Sequence, residues 1–156
     1  MKILEKRIDE ISPYEGNPRK TDGAVAAVAE SINRFGFKVP IVVDSNMVII
    51  AGHTRLEAAK KIGLEKVPVI VAEDLSEDQA KAFRLADNKT AEIAVWDFEK
   101  LEKELEDLDA DEWLSRLFSK DMEDRDSVPK VREISLEEFG DEVFKYECEH
   151  CGFKFN

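Results

Sequence analysis

The amino-acid sequence predicts an α+β fold, and three observations carry that expectation. Short apolar runs at PIVVD (40–44), MVIIA (47–51) and VPVIVAED (67–74) have the length and β-branched content of strands. Around them, AVAAVAESINRF (24–35) and TRLEAAKKI (54–62) place apolar residues at helical spacing. Glycines at 36, 52 and 63 stand where one kind of element gives way to the other.

In chain order, KILEKRIDEI (2–11) alternates partly and reads as a first strand, ending at the loop SPYEGNPRK (12–20), which holds two prolines and a glycine. Asp22 is placed to cap a helix with apolar positions 25, 28, 29, 32 and 35 and Gly36 as its stop. Pro40 opens a strand, and Ser45-Asn46 turn it into a second strand that runs straight into Gly52. That pair is a hairpin. The helix from Thr54 ends at Gly63, with Lys60 and Lys61 in its last turn. A buried strand follows at 67–74. Ser76 and Gln79 fit a capping box for a third helix, expected to end near Asp87-Asn88-Lys89. From Trp96, WDFEKLEKELEDLDADEWLSRLF reads as one or two helices capped by Asp97, acidic outside and leucine-rich inside.

These elements divide the chain into a domain over residues 1–95, an acidic helical extension over 96–118, a linker over 119–133 and a short tail over 134–156. The linker SKDMEDRDSVPKVRE has mixed charge, one proline and no apolar periodicity. With 156 residues and 43% hydrophobic content there is material for one real core. No run approaches the roughly 18 apolar residues of a membrane span, and MKILEKRIDE is too charged for a signal peptide. A cytoplasmic protein without a membrane partner is expected.

The formal net charge of −12 is unevenly placed: residues 1–95 hold 14 Lys/Arg against 15 Asp/Glu, whereas 96–156 hold 9 against 20. Overall acidity therefore does not argue against an anionic ligand on the first 95 residues, because binding follows local potential. It does argue against the tail lying on DNA.

The strongest chemical signal is Gly52-His53-Thr54-Arg55, where a strand turns into a helix. A helix N-terminus offers up to about four unpaired N–H groups and the positive end of a dipole, a ready site for phosphate. Glycine lets an oxyanion approach the backbone, Thr54 can cap or donate its hydroxyl, and Arg55 can fork onto phosphate. A cation in a first turn opposes the dipole unless an anion compensates it. The plainer reading is a turn glycine, a capping threonine and a solvated arginine.

With that turn in place, the arrangement over residues 3–95 resembles the ParB N-terminal domain and the ParB/sulfiredoxin fold, a small mixed sheet with packed helices. The resemblance rests on NPRK (17–20), SINRFGFKVPIVVD (31–44) and AGHTRLEAAKKIGLEKVPVIV (51–71), in that order. It implies binding of a nucleoside triphosphate, CTP above all, with Mg2+. The Gly52–Arg55 turn is similar to the family's triphosphate box, Asn17 and Arg19 match its N-terminal loop, and Asp87-Asn88 sit where relatives have an acidic residue and asparagine near metal and phosphate. A helix end with Asn88 as a left-handed cap is the alternative for that last pair.

The departures are specific. His53-Thr54 replace the second arginine and the acidic residue of partition ParB proteins, and no helix-turn-helix module is recognisable downstream. Sulfiredoxin chemistry needs a cysteine in the box, which positions 53 and 54 do not offer. Free serine kinases of the superfamily carry an aspartate where Ala51 stands, and Glu30 matches their base. No carboxylate cluster supports nuclease chemistry. LADNKTAE (85–92) is similar to a phage and mobile-element subgroup associated with DNA methyltransferases.

Cys148 and Cys151, in CEHCGF, have the form of a zinc knuckle that aims two thiolates at one Zn2+ and takes its other two ligands elsewhere, for example from a second copy in a homodimer. A reduced, metal-free pair is the alternative. Three functions follow from the whole reading: a nucleotide-binding regulatory module in DNA modification, partition or phage and plasmid maintenance; a small-molecule kinase or NTPase of the same fold, with Glu30, His53 and Asp87 as candidate catalytic groups; and a non-enzymatic DNA or methyltransferase adaptor.

Overall fold

The computed structural model describes residues 2–108 and 112–124, together with the backbone of 146–147 and 154–155. Four strands form one sheet: β1 (Ile3–Arg7), β2 (Ile41–Val43), β3 (Ile49–Ala51) and β4 (Lys66–Val71), in the order β1-β4-β2-β3. β1 pairs antiparallel with β4, β4 runs parallel to β2, and β2 returns antiparallel into β3, so the sheet is mixed. The parallel pair is the part that no hairpin can build. It needs the crossover supplied by the β3-helix-β4 passage.

Among the described residues five α-helices accompany the sheet, α1 (Asp22–Phe35), α2 (His53–Lys61), α3 (Glu77–Ala91), α4 (Phe98–Asp107) and α5 (Glu112–Glu123), and a 3-10 turn at Ile8–Glu10 ends β1 short of the strand expected over 2–11. Alternation along the strands assigns each helix its face. Ile41, Val43 and Ile49, with Val67 and Val69, form one buried cluster with Leu56 and Ala59 of α2, while Ile50 forms another with Ala72 and Ala80 of α3. Adjacent residues Ile49 and Ile50 thus point to opposite layers, as a period of two requires. α1 packs outside α2, and Trp113 of α5 reaches Phe35 at the end of α1, ring centroids 6.2 Å apart. A two-residue antiparallel ladder pairs Tyr146–Glu147 (β5) with Lys154–Phe155 (β6).

Several local expectations need correction. Thr21, not Asp22, is the N-cap of α1 and its side chain makes no capping bond; Asp22 is already helical. The β2–β3 connection is longer than Ser45-Asn46 alone: Asp44 Oδ1 accepts from the N–H groups of Asn46 and Val48, and Met47 takes a left-handed φ of 61°. Helix α3 does not stop at Asp87-Asn88-Lys89 but continues to Ala91, so Asn88 is not a left-handed cap. Nothing in LADNKTA breaks a helix, and the Asn88 side chain bonds back to the Arg84 carbonyl within it. The capping box of Ser76 and Gln79 is formed as expected, and Asp97 caps α4 through the N–H of Lys100.

Candidate functional site

Helix α2 begins one residue earlier than expected, at His53, with Gly52 as its N-cap at φ 114° and ψ 24°. Thr54 is therefore inside the helix and is not the cap. The first intrahelical bond is donated by Leu56 to the Gly52 carbonyl, which leaves the N–H groups of His53, Thr54 and Arg55 without a partner among the described residues. Only glycine suits this junction. A Cβ on residue 52 would meet Arg55 Nε and Nη2 at 3.1 Å, besides the strain of the positive φ.

Arg55 answers the electrostatic objection raised by its position. Its Nη1 donates to the carbonyls of Val39 and Pro40, at 2.9 and 2.8 Å, so two carbonyl dipoles outside the helix compensate the cation in the first turn. An anion is not required to explain the residue. The Nε and Nη2 edge, lying against Gly52, has no partner among the described residues and remains open to an oxyanion. Burial pulls the Arg55 pKa down from its ordinary value, with Asp87 opposing. At such a high starting value the guanidinium stays charged.

His53 turns the other way. Its Nε2 accepts the Tyr14 N–H at 3.2 Å, which places the proton of the neutral ring on Nδ1. Burial lowers its pKa, Arg84 lowers it further, and Glu57 opposes. The imidazole is a staple between α2 and the loop that precedes α1.

That loop brings the remaining residues. The Asn17 Oδ1 accepts the Arg19 N–H at 3.2 Å, a local turn that orients Arg19. Arg19 Nη1 then donates to Asn88 Oδ1 at 2.7 Å, and Asn88 Nδ2 donates to the Arg84 carbonyl at 2.7 Å. Arg19 Nη2 lies 4.0 Å from Glu92. One cleft of about 420 Å³ is lined by Asn17, Arg19, Gly52, His53, Thr54, Arg55, Asp87 and Asn88, with Val28, Val39, Ile50 and Ala91 among its apolar walls. This size and mixture of walls suit a small-molecule site.

Glu30 is not brought to the cleft. It lies on α1 with its carboxylate on Arg34 Nε at 2.6 Å. Cys148 and Cys151 lie outside the described residues, as do residues 125–133 of the expected linker and most of the tail, whereas α5 runs on to Glu123, so the helix continues past the expected boundary at 118 into the segment read as linker. Among the described residues no three His, Cys, Asp or Glu side chains gather to hold a metal, and no helix is long and apolar enough to cross a membrane. The sequence reading missed Tyr14, Asp44 and Arg84. Their signal is tertiary: Arg84 meets Asp44 from 40 residues away and lies over the Tyr14 ring.

A glycine-capped helix with three open amides faces an arginine-bearing loop and an Asp-Asn pair on a second helix, all within one small α+β domain. The chain belongs to the ParB N-terminal domain family, which matches residues 2–89. It is 40% identical over 80 residues to the ParB-like nuclease domain-containing protein YnaK of Escherichia coli, covering 51% of this chain and 92% of that one. Against the probable chromosome-partitioning protein ParB of Campylobacter jejuni it is 35% identical over 86 residues, 52% of this chain but 31% of the relative. Among solved structures it is similar to the C-terminally truncated ParB of Caulobacter crescentus complexed with CTP-γ-S, with a TM-score of 0.50 and 26% identity over 56% of this chain and 53% of that chain. The chain thus spans about half of the Caulobacter structure and under a third of the Campylobacter protein.

Proposed function

We propose that this chain is a ParB-like regulatory module whose cleft binds a nucleoside triphosphate, CTP or another NTP, together with Mg2+. The observation that carries the reading is convergence: eight side chains or backbone positions from three separate segments line one cleft. The CTP-γ-S complex of the Caulobacter relative supports the choice of ligand. In this reading the phosphates lie on the open amides of His53, Thr54 and Arg55, the Nε–Nη2 edge of Arg55 forks onto one of them, and Arg19 closes from the loop.

The residues fit Mg2+ held mainly by the nucleotide. Mg2+ commonly keeps several waters and takes one or two carboxylates plus phosphate oxygens. Asp87 is the carboxylate in the cleft wall, while both ends of the Asn88 amide are already engaged. The bound ion supplies neutralisation of phosphate charge. Binding is better supported than phosphoryl transfer, since Glu30 is paired on α1 and the His53 Nε2 is occupied by the Tyr14 N–H. A slow NTPase or a small-molecule kinase is therefore the second reading.

We infer for the module a role in DNA-related work, whether DNA modification, partition or phage and plasmid maintenance, and a kinship with the methyltransferase-associated subgroup that LADNKTAE resembles. Residues 1–95 are its nucleotide-binding unit. Cys148 and Cys151 are assigned to a zinc knuckle, completed within a homodimer, and a metal-free monomer in native mass spectrometry at micromolar concentration would exclude it.

Calorimetric titration with each of the four NTPs and Mg2+ tests the central reading, repeated with Arg55→Ala and Arg19→Ala. Heat with the wild type that both variants weaken supports it. Absence of heat with every nucleotide leaves a DNA or methyltransferase adaptor, and release of inorganic phosphate points to the enzyme.

A further inference from the structure

Arg84 is the buried charged side chain of the described residues, 6% exposed, and it does not line the cleft. An arginine is costly to bury unless its donors are satisfied, and a buried ion pair is weak evidence for stability in itself. The question is what the pairing organises.

Its Nε donates to the Ile49 carbonyl at 2.8 Å and its Nη2 to Asp44 Oδ2 at 3.2 Å, while the guanidinium lies 4.2 Å from the centre of the Tyr14 ring. Asp44 is fully used, because its other oxygen holds the β2–β3 turn. Around these contacts the N-terminal loop is pinned along its length. Ser12 exchanges backbone bonds with Met47 and Ile49, the Tyr14 N–H donates to His53, and the Asn17 N–H donates to the Tyr14 carbonyl. Farther on, the Arg84 carbonyl holds Asn88, which holds Arg19. Both ends of the segment that carries Arg19 are thus tied to Arg84, one through its guanidinium and one through its carbonyl.

We infer that Arg84 is a positioning residue, which orders the Tyr14–Arg19 loop before any ligand arrives and so presents Arg19 to an anion in the cleft. The inference rests on the nucleotide reading only for its last clause. Preordering of this kind saves the cost of fixing a loop on binding.

Hydrogen exchange on the ligand-free full chain tests the ordering without a nucleotide. The amides of Tyr14, Asn17 and Arg19 each have a named acceptor, so their exchange reports the loop directly. Tyr14→Leu, which removes the ring under Arg84 but leaves the backbone bond, and Arg84→Met should each speed those three amides on the order of tenfold, with β2 and β4 amides unchanged. Unaltered loop exchange in Tyr14→Leu would overturn the inference. The second arm uses CTP with Mg2+, or tripolyphosphate if no nucleotide binds. Arg19→Ala should weaken binding on the order of tenfold in the wild type and much less in the Tyr14→Leu background, the coupling expected within one network. Equal losses in the two backgrounds would overturn it. If neither anion binds the wild type, the nucleotide reading fails while the exchange arm still decides the ordering.

Discussion

At position 55 the α2 dipole works against a cation, and the carbonyls of Val39 and Pro40 work for it. The balance leaves half of a charged fork committed to the fold and half facing Gly52. Gly52→Ala tests both halves. At φ 114° an alanine is strained, by about 1–3 kcal/mol for such conformations, and its Cβ would meet the open edge of Arg55 at 3.1 Å. The expected result is a lower denaturation midpoint together with lost anion affinity, whereas Thr54→Ala should leave the midpoint almost unchanged because Thr54 makes no capping bond. His53 gives a second prediction, in pH. Its folded pKa lies below the ordinary value of 6.5, so the unfolded chain binds the extra proton first. Stability from the neutral ring is complete above about 6.5 and is lost as pH falls toward the folded pKa. His53→Gln, which keeps an acceptor for the Tyr14 N–H but cannot titrate, should flatten that slope in urea unfolding measured across pH 7 to 5. An unchanged slope would remove His53 as the source.

Helix α3 shows which parts of the molecule could be read from the sequence. Its start is written locally, in Ser76 and Gln79 three residues apart, and the capping box forms as those residues dictate. Its end is less legible: Asn88 bonds back to the Arg84 carbonyl within the helix, and its other amide atom accepts from Arg19, 69 residues away in the loop before α1. The same division holds elsewhere. The hairpin, the glycine turn and the amphipathic helices follow from neighbours along the chain, whereas Asn17, Arg19, Asp87 and Asn88 are legible only through the resemblance to a family. Strand order and the Arg84 network are legible in neither way, since β1 against β4 and Asp44 against Arg84 are long-range pairings with no local signature. Ser76→Ala should cost about 1 kcal/mol through loss of the cap, with Ser76→Asp retaining most of it. Urea midpoints of the two variants check this, and equal loss in both would show that the cap contributes nothing to α3.

Over the whole molecule the charge separates into a nearly neutral first 95 residues and a remainder, residues 96–156, that holds 20 acidic residues against 9 basic ones. If the proposed cleft holds an anion, the acidic residues bear on it at least through their field. Two unit charges about 20 Å apart in water interact by about 0.2 kcal/mol before screening, so many weak repulsions add up at low salt. At 0.1 M salt the screening length is already about 10 Å, and near 1 M it is about 3 Å. A chain of residues 1–95 should therefore bind tripolyphosphate or CTP with Mg2+ more tightly than the full chain at low ionic strength, and the difference should disappear as salt rises. Truncation also removes Trp113 from Phe35 and so alters packing. Replacing the exposed Glu99, Glu102 and Glu106 of α4 with glutamine leaves the chain whole and changes only charge. It should shift affinity in the same direction by a smaller amount, with the same salt dependence. A gain that persists at high salt would assign the extension a contact with the cleft, and a loss of affinity would make it part of the binding unit rather than a separate segment.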